Sequence, residues 1–158
     1  CSSYSISRPE FAGEVLGLLA QHGVAPSRIC LELTEGALVA EPELARQAMK
    51  HLADNGVSTV LDDFGAGFSS LSYVHQYHFS GLKIDKSFTL ELTTSSRSRA
   101  IVRAIVRMAE SLGLTVVAEG VEDADTLQLL REMGAGQAQG YYFSMPVPQE
   151  KLDLSGLL

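Results

Sequence analysis

Leu61-Asp62-Asp63-Phe64-Gly65-Ala66-Gly67-Phe68-Ser69-Ser70-Leu71 is the stretch on which the reading of this chain turns. A β-branched run over residues 57–61 stops at two adjacent carboxylates and a turn punctuated by Gly65 and Gly67. Side chains alternate along a strand, so two neighbouring aspartates cannot share a face within it. At a strand's last residues the chain leaves the sheet, and a bend there lets both carboxylates reach one pocket. Hard oxygen ligands so placed suit Mg²⁺ or Mn²⁺, and two acids can serve two metals or one metal and one proton transfer. Glycines permit the tight loop, and Ser69 or Ser70 can cap the helix that Leu71 opens. The competing reading is a plain polar turn.

Outward from this stretch the same pattern recurs. Upstream, residues 1–6 read as the stub of a strand, and residues 9–22 as a helix with Phe11, Val15, Leu16, Leu18 and Leu19 inward. Residues 29–35 form the next strand, carrying Glu32 and Glu35, and a helix over 42–54 has Leu44, Ala45, Ala48, Met49 and Leu52 inward before Asn55-Gly56 stops it. Downstream come a short helix at 71–77 and a strand at 81–85 with Lys83 in its middle. A helix over 98–112 follows, with Ile101, Ala104, Ile105, Met108 and Leu112 on one side and Arg99, Arg103 and Arg107 on a solvated one. A strand at 114–118 runs into Glu119-Gly120-Val121-Glu122. A helix at 124–133 starts near Asp123 or Asp125. A last strand at 138–143 carries Gln139, and Pro146 and Pro148 precede a terminal helix. His75 and His78 read as a helix-end surface, and Met133 and Met145 as packing residues.

About five strand-helix units with short connections and no hairpin signal define an α/β protein with parallel strands. Such a sheet closes as an open doubly wound sheet or a (β/α)8 barrel, and both place sites at the carboxyl ends of strands. No glycine-rich phosphate fingerprint follows the first strand, which favours a partial (β/α)8 TIM-like barrel. The chain has 158 residues, 46% apolar and 20% charged, in the ordinary range for one globular domain. No apolar run approaches a membrane span, and the chain reads as cytoplasmic. The net charge of −7 argues against a grip on long nucleic acid. Cys1 and Cys30 have no metal-ligand spacing and read as reduced thiols.

The motifs Leu31-Glu32-Leu33-Thr34-Glu35, Asp62 to Leu71 as quoted, Leu82-Lys83-Ile84-Asp85, Val117-Ala118-Glu119-Gly120-Val121-Glu122 and Gln139-Gly140-Tyr141 resemble, in order and spacing, those of EAL domains, bacterial phosphodiesterases of cyclic di-GMP. The resemblance covers nearly the whole chain. It implies a metal-dependent hydrolase of bacterial signalling that opens cyclic di-GMP to linear pGpG. Glu32, Asp62, Asp63 and Glu119 resemble the family's metal ligands, with Mg²⁺ or Mn²⁺ in a two-metal site. Lys83 resembles the lysine near the activated water, and Lys83, Glu119, Asp63 and Glu35 the catalytic set. Gln139 and Glu122 resemble residues near the substrate. Glu35 resembles the glutamate that steadies the loop at 64–70, which also implies homodimer contacts.

The family's Glu-Ala-Leu segment and its metal-binding asparagine are not among these residues, and aligning Ser2-Ser3-Tyr4 places the asparagine just before Cys1. A complete barrel of this kind takes about 250 residues. The expectation is therefore that residues 1–158 form the C-terminal portion of one EAL domain, inactive when isolated. Gly136 and Met145 stand where the family often has an aspartate and a basic residue. The alternative class is a cyclic di-GMP receptor that binds without hydrolysis, and Lys83 read without the resemblance is a barrel-interior lysine paired with an acid.

Overall fold

The computed structural model describes residues 1–39, 41–66 and 70–151. Its centre is a five-stranded parallel sheet in the order β1-β2-β3-β4-β5: β1 (Cys30–Thr34), β2 (Ser58–Phe64), β3 (Gly81–Ile84), β4 (Thr115–Ala118) and β5 (Gln137–Ala138). Strands in sequence order, all parallel, make an arc of a barrel, whereas a doubly wound sheet would reverse its order at a switch point. The α/β TIM-like reading is thereby met.

The helices are α1 (Ser3–Ile6), α2 (Phe11–Gln21), α3 (Glu35–Val39), α4 (Pro42–Asp54), α5 (Ser70–Gln76), α6 (Lys86–Leu90), α7 (Ser96–Leu112) and α8 (Ala124–Met133). Alternation along the strands sends Leu33, Leu61, Leu82, Ile84, Val116 and Ala118 outward into the layer packed by helices, where each is buried. The helices answer with Ala45, Met49 and Leu52 of α4, Val102, Ile105, Val106 and Ala109 of α7, and Leu127, Leu130 and Met133 of α8. The opposite, concave face carries Cys30, Glu32, Ser58, Val60, Lys83 and Val117, and bounds a cavity of about 1290 Å³. Local signals set the helix ends. Ser95 and Asp123 cap α7 and α8 through the amides of Ser98 and Thr126, and Gly113 and Gly134 close them in left-handed conformations.

Several expectations are corrected. Residues 1–6 are not a strand stub: Ser2 accepts the Ser5 amide, and the chain turns into α1. The acid Glu35 does not end β1 but opens α3, and α6 follows β3 at once. Both short helices escape periodicity because five residues complete hardly more than one turn. The inward face of α7 is rotated by one position: Val102, Val106 and Ala109 are buried, while Ala104 and Leu112 are exposed. Leu18 in α2 is exposed. Strand β5 stops after two residues, and the segment that follows leaves Tyr141, Tyr142, Phe143 and Met145 exposed, so Met145 is no packing residue, whereas Met133 is. Ser70 lies inside α5 rather than before it; Ser69 falls outside the described residues, as does most of the expected terminal helix, of which the turn Gln149–Lys151 is seen. No helix among the described residues is long and apolar enough to cross a membrane. Cys1 and Cys30 are free thiols.

Candidate metal centre

The site stands at the carboxyl ends of β1 to β4, on the concave face. Period-two alternation carries Glu32 on β1, Asp62 on β2, Lys83 on β3 and Glu119, the residue after β4, to the same side. Lys83 is the hub. Its Nζ donates to Glu119 at 2.6 Å, Glu32 at 2.9 Å and Asp62 at 3.1 Å. The lysine side chain is only 6% exposed, and Asp62 and Glu119 about 20%, against 48% for Glu32. Burial works to strip the proton from Lys83, but the bonds to Glu119, Glu32 and Asp62 outweigh it and hold the ammonium charged far into the alkaline range.

Asp63 solves the problem that two adjacent strand acids pose. By alternation its side chain would leave on the helix side. Instead its φ is +56°, in the left-handed region, and the β2–β3 register slips between Leu61 and Phe64. The bulge re-aims the carboxylate, and Asp62, Asp63 and Glu119 then offer one oxygen each within 4.8 Å of one another. The turn is held by the Asp63 amide on Asp62 Oδ1 at 3.1 Å and by the Ala66 amide on the Asp63 carbonyl at 3.2 Å. Burial, then the charges of Asp62 and Asp85, push the Asp63 carboxyl above the usual range.

This donor set fits a hard divalent cation: three carboxylates converge, all oxygen, partly exposed on an open cavity. Lys83 is paired with three carboxylates, and Asp63, which feels both Lys83 and Lys86, adds a fourth beside Asp62, so among the described residues acids outnumber the ammonium groups at the centre. Glu32 joins the cluster through Lys83 and lies outside the three-acid group. Gln139, just past β5, lines the same cavity as Glu32 and Lys83, its amide bonded to the Ala118 carbonyl at 2.9 Å. Glu122 is exposed on the connection from β4 to α8 and is not in the cluster. Glu35 is half-buried at the start of α3; residues 67–69 of the loop it was expected to steady lie outside the described residues. What sequence reasoning missed is α6, whose Phe88 and Lys86 meet the acid-bearing loops. The signal was the pair Gly65 and Gly120, each one or two residues after a candidate ligand.

Residues 1–146 match the family model described as the EAL domain. The cyclic di-GMP phosphodiesterase NbdA of Pseudomonas aeruginosa is 39% identical over 153 residues, covering 97% of this chain and 20% of that protein. The cyclic di-GMP phosphodiesterase RocR of the same organism is 35% identical over 139 residues, 88% of this chain and 36% of that protein. Among solved structures, the PaMucR phosphodiesterase in complex with c-di-GMP superposes with a TM-score of 0.88 at 35% identity, covering 97% of this chain and 62% of that one. Klebsiella pneumoniae BlrP1, with manganese and cy-diGMP, gives 0.82 at 34% identity over 88% of this chain and 36% of that one. The chain thus spans roughly a fifth to a third of the length of these curated relatives. With the match running through every strand and every acid of the cluster, the chain belongs to the EAL domain family.

Proposed function

We propose that these residues carry the metal and water site of a cyclic di-GMP phosphodiesterase, which hydrolyses cyclic di-GMP to linear pGpG with Mg²⁺ or Mn²⁺. The observation that supports this most is the convergence of Asp62, Asp63 and Glu119 within 4.8 Å beside a lysine that also reaches Glu32. Divalent cations, when bound by these acids, supply Lewis acidity toward the phosphodiester and lower the pKa of water. The chain's own residues do the remainder. Asp62, Asp63, Glu119 and Glu32 fix the cations. Lys83, charged and nearly buried, orients the attacking water and faces the charge that builds on the phosphoryl oxygens. In the reaction water adds to phosphorus, one ester P–O bond breaks, and the departing ribose oxygen takes up a proton. Gln139 and Glu122 contact the substrate, and Glu35 steadies the loop at 64–70, which also joins a homodimer.

The retained acids favour hydrolysis over a receptor that only binds, because binding of a dinucleotide does not need three converged carboxylates. Turnover belongs to the longer domain: the 158 residues lack the Glu-Ala-Leu segment and the asparagine, and a site short of ligands loses affinity and the alignment that in-line attack requires. The test is pGpG formation, followed by chromatography with Mg²⁺ or Mn²⁺, for the 158 residues and for a chain extended N-terminally through that segment. The extended chain is expected to be active and its Asp62→Asn and Glu119→Gln variants inactive. Binding of cyclic di-GMP with no product from the extended chain would reject hydrolysis. Robust product from the 158 residues alone would reject the dependence on the missing ligands.

A further inference from the structure

We propose that α6 is the positioning element of the metal centre, a common abutment against which both acid-bearing loops are set, with Phe88 its principal contact. The two loops leave different strands, and both meet this one turn of helix. On the β2 side, Gly65 has φ +98°, and a Cβ built there would lie 2.8 Å from Cε2 of Phe88 and 3.3 Å from its Cζ. The backbone two residues beyond Asp63 thus rests directly on the ring. On the β4 side, Gly120, next to Glu119, has φ +69°, and its Cβ would lie 2.7 Å from the Cβ of Lys86 and 3.4 Å from its Cα. Only glycine combines that backbone with so close an approach.

The helix is itself anchored. Asp85 caps it by accepting the Ser87 amide at 2.9 Å, and Thr89 and Leu92 behind it are fully buried. The strand end that feeds it is tied to both loops: the Asp85 amide donates to the Phe64 carbonyl at 3.4 Å, and the Glu119 amide to the Ile84 carbonyl at 3.2 Å. Phe88 is half-buried, and its flat ring supports a turn whose acid, Asp63, sits in a left-handed conformation that costs any L-residue some energy, aspartate and asparagine less than most. The separation of Asp63 from Glu119 is therefore set by the width of α6 between Gly65 and Gly120. Phe88 acts through Asp63 and touches no reacting atom, so it is a positioning residue.

That these acids hold a divalent cation rests on the function proposed above, and the experiment separates the two. Amide hydrogen exchange of residues 62–66 and titration with Mn²⁺ read by its free-ion spin resonance are compared in the chain extended N-terminally through the Glu-Ala-Leu segment, otherwise unmodified or carrying Phe88→Ala, Phe88→Tyr or Leu130→Ala. Leu130→Ala removes a buried side chain of α8, whereas the side chains nearest Gly65 and Gly120 are those of α6. Phe88→Ala is expected to speed exchange at 62–66 by about tenfold beyond the effect of Leu130→Ala, and to weaken Mn²⁺ binding by about tenfold, the size usual for a residue that orients a ligand. Phe88→Tyr, which keeps the ring, restores both. Should Phe88→Ala not fold, Phe88→Leu, apolar but without the ring, is read in the same way. Exchange at 62–66 that rises no more than in Leu130→Ala overturns the proposal. An extended chain, otherwise unmodified, that binds no Mn²⁺, with exchange still selectively raised by Phe88→Ala, sustains the abutment and rejects the metal.

Discussion

Replacing Lys83 by methionine removes one charge and leaves three carboxylates that were bonded to it. Methionine keeps the length and apolar stem of the side chain, so the change isolates the ammonium. The three bonds, at 2.6, 2.9 and 3.1 Å, fall on a side chain only 6% exposed, which places the hub in the class of buried ion pairs. Breaking such a pair from one side costs about 3–5 kcal/mol, chiefly because the orphaned charges stay buried. Here the orphans are partly wet: Glu32 is 48% exposed, and Asp62 and Glu119 about 20%. Rehydration brings the expected loss down to about 2–3 kcal/mol, between the buried and exposed limits. For a chain of this length that is about 4–12 °C in Tm. Thermal denaturation in EDTA measures it, and 10 mM Mg²⁺ is expected to return most of the loss, because the cation supplies the missing countercharge and binds the folded state. Adding Glu119→Gln and Asp62→Asn to Lys83→Met should recover stability in EDTA without any cation. A Lys83→Met protein as stable as the unmodified chain in EDTA would show that the acids do not depend on the ammonium, and the account of the hub would fail.

Asp63→Asn keeps a residue that tolerates the left-handed backbone while removing charge beside Asp62, so in EDTA it melts at or above the unmodified temperature, whereas Asp63→Ala loses about 1–2 kcal/mol; a chemical-denaturation series ranks the three. Asp123→Ala removes the cap that accepts the Thr126 amide at 2.7 Å, and lowers Tm at neutral pH. That cap holds the Asp123 carboxyl below its usual range, so its contribution is complete above about pH 4 and disappears as pH falls through the lowered pKa; Tm curves of the two proteins should converge in acid and diverge toward neutrality. Gly140→Ala would place a Cβ 2.1 Å from the Val121 carbonyl oxygen and 2.3 Å from its amide nitrogen, both backbone, at the junction of β5 and the β4–α8 connection. The expected cost is at least about 3 kcal/mol, read from the urea midpoint, and a change under 1 kcal/mol would contradict the packing described.

Strand-helix alternation and the placement of acids at strand ends were legible in the residues themselves, because hydrophobic periodicity reports the burial that each element will undergo. Residues 42–54 and 124–133 illustrate this: both helices carry a clean apolar stripe and a glycine beyond the end, and both form over those residues. Capping chemistry likewise acts within a few residues, so Asp123 and Gly113 announce their roles without the rest of the chain. The face that α7 turns inward was not legible, since the stripe is wide and the sheet chooses which part of it to cover. Nor were α3 and α6, too short to show a period. The bend that lets Asp63 join Asp62 was anticipated from the residues, but not how it is made, since strict alternation would send Asp63 to the helix side. Pairing with β3 introduces the slipped register, and the contact of Gly65 with Phe88, twenty-three positions away, adds to the local hydrogen bonds that hold the left-handed turn at Asp63. Sequence by itself determined which residues could form the centre, because chemistry resides in side chains. Their distances, and the lysine that joins them, were decided by packing between segments that the chain brings together from far apart.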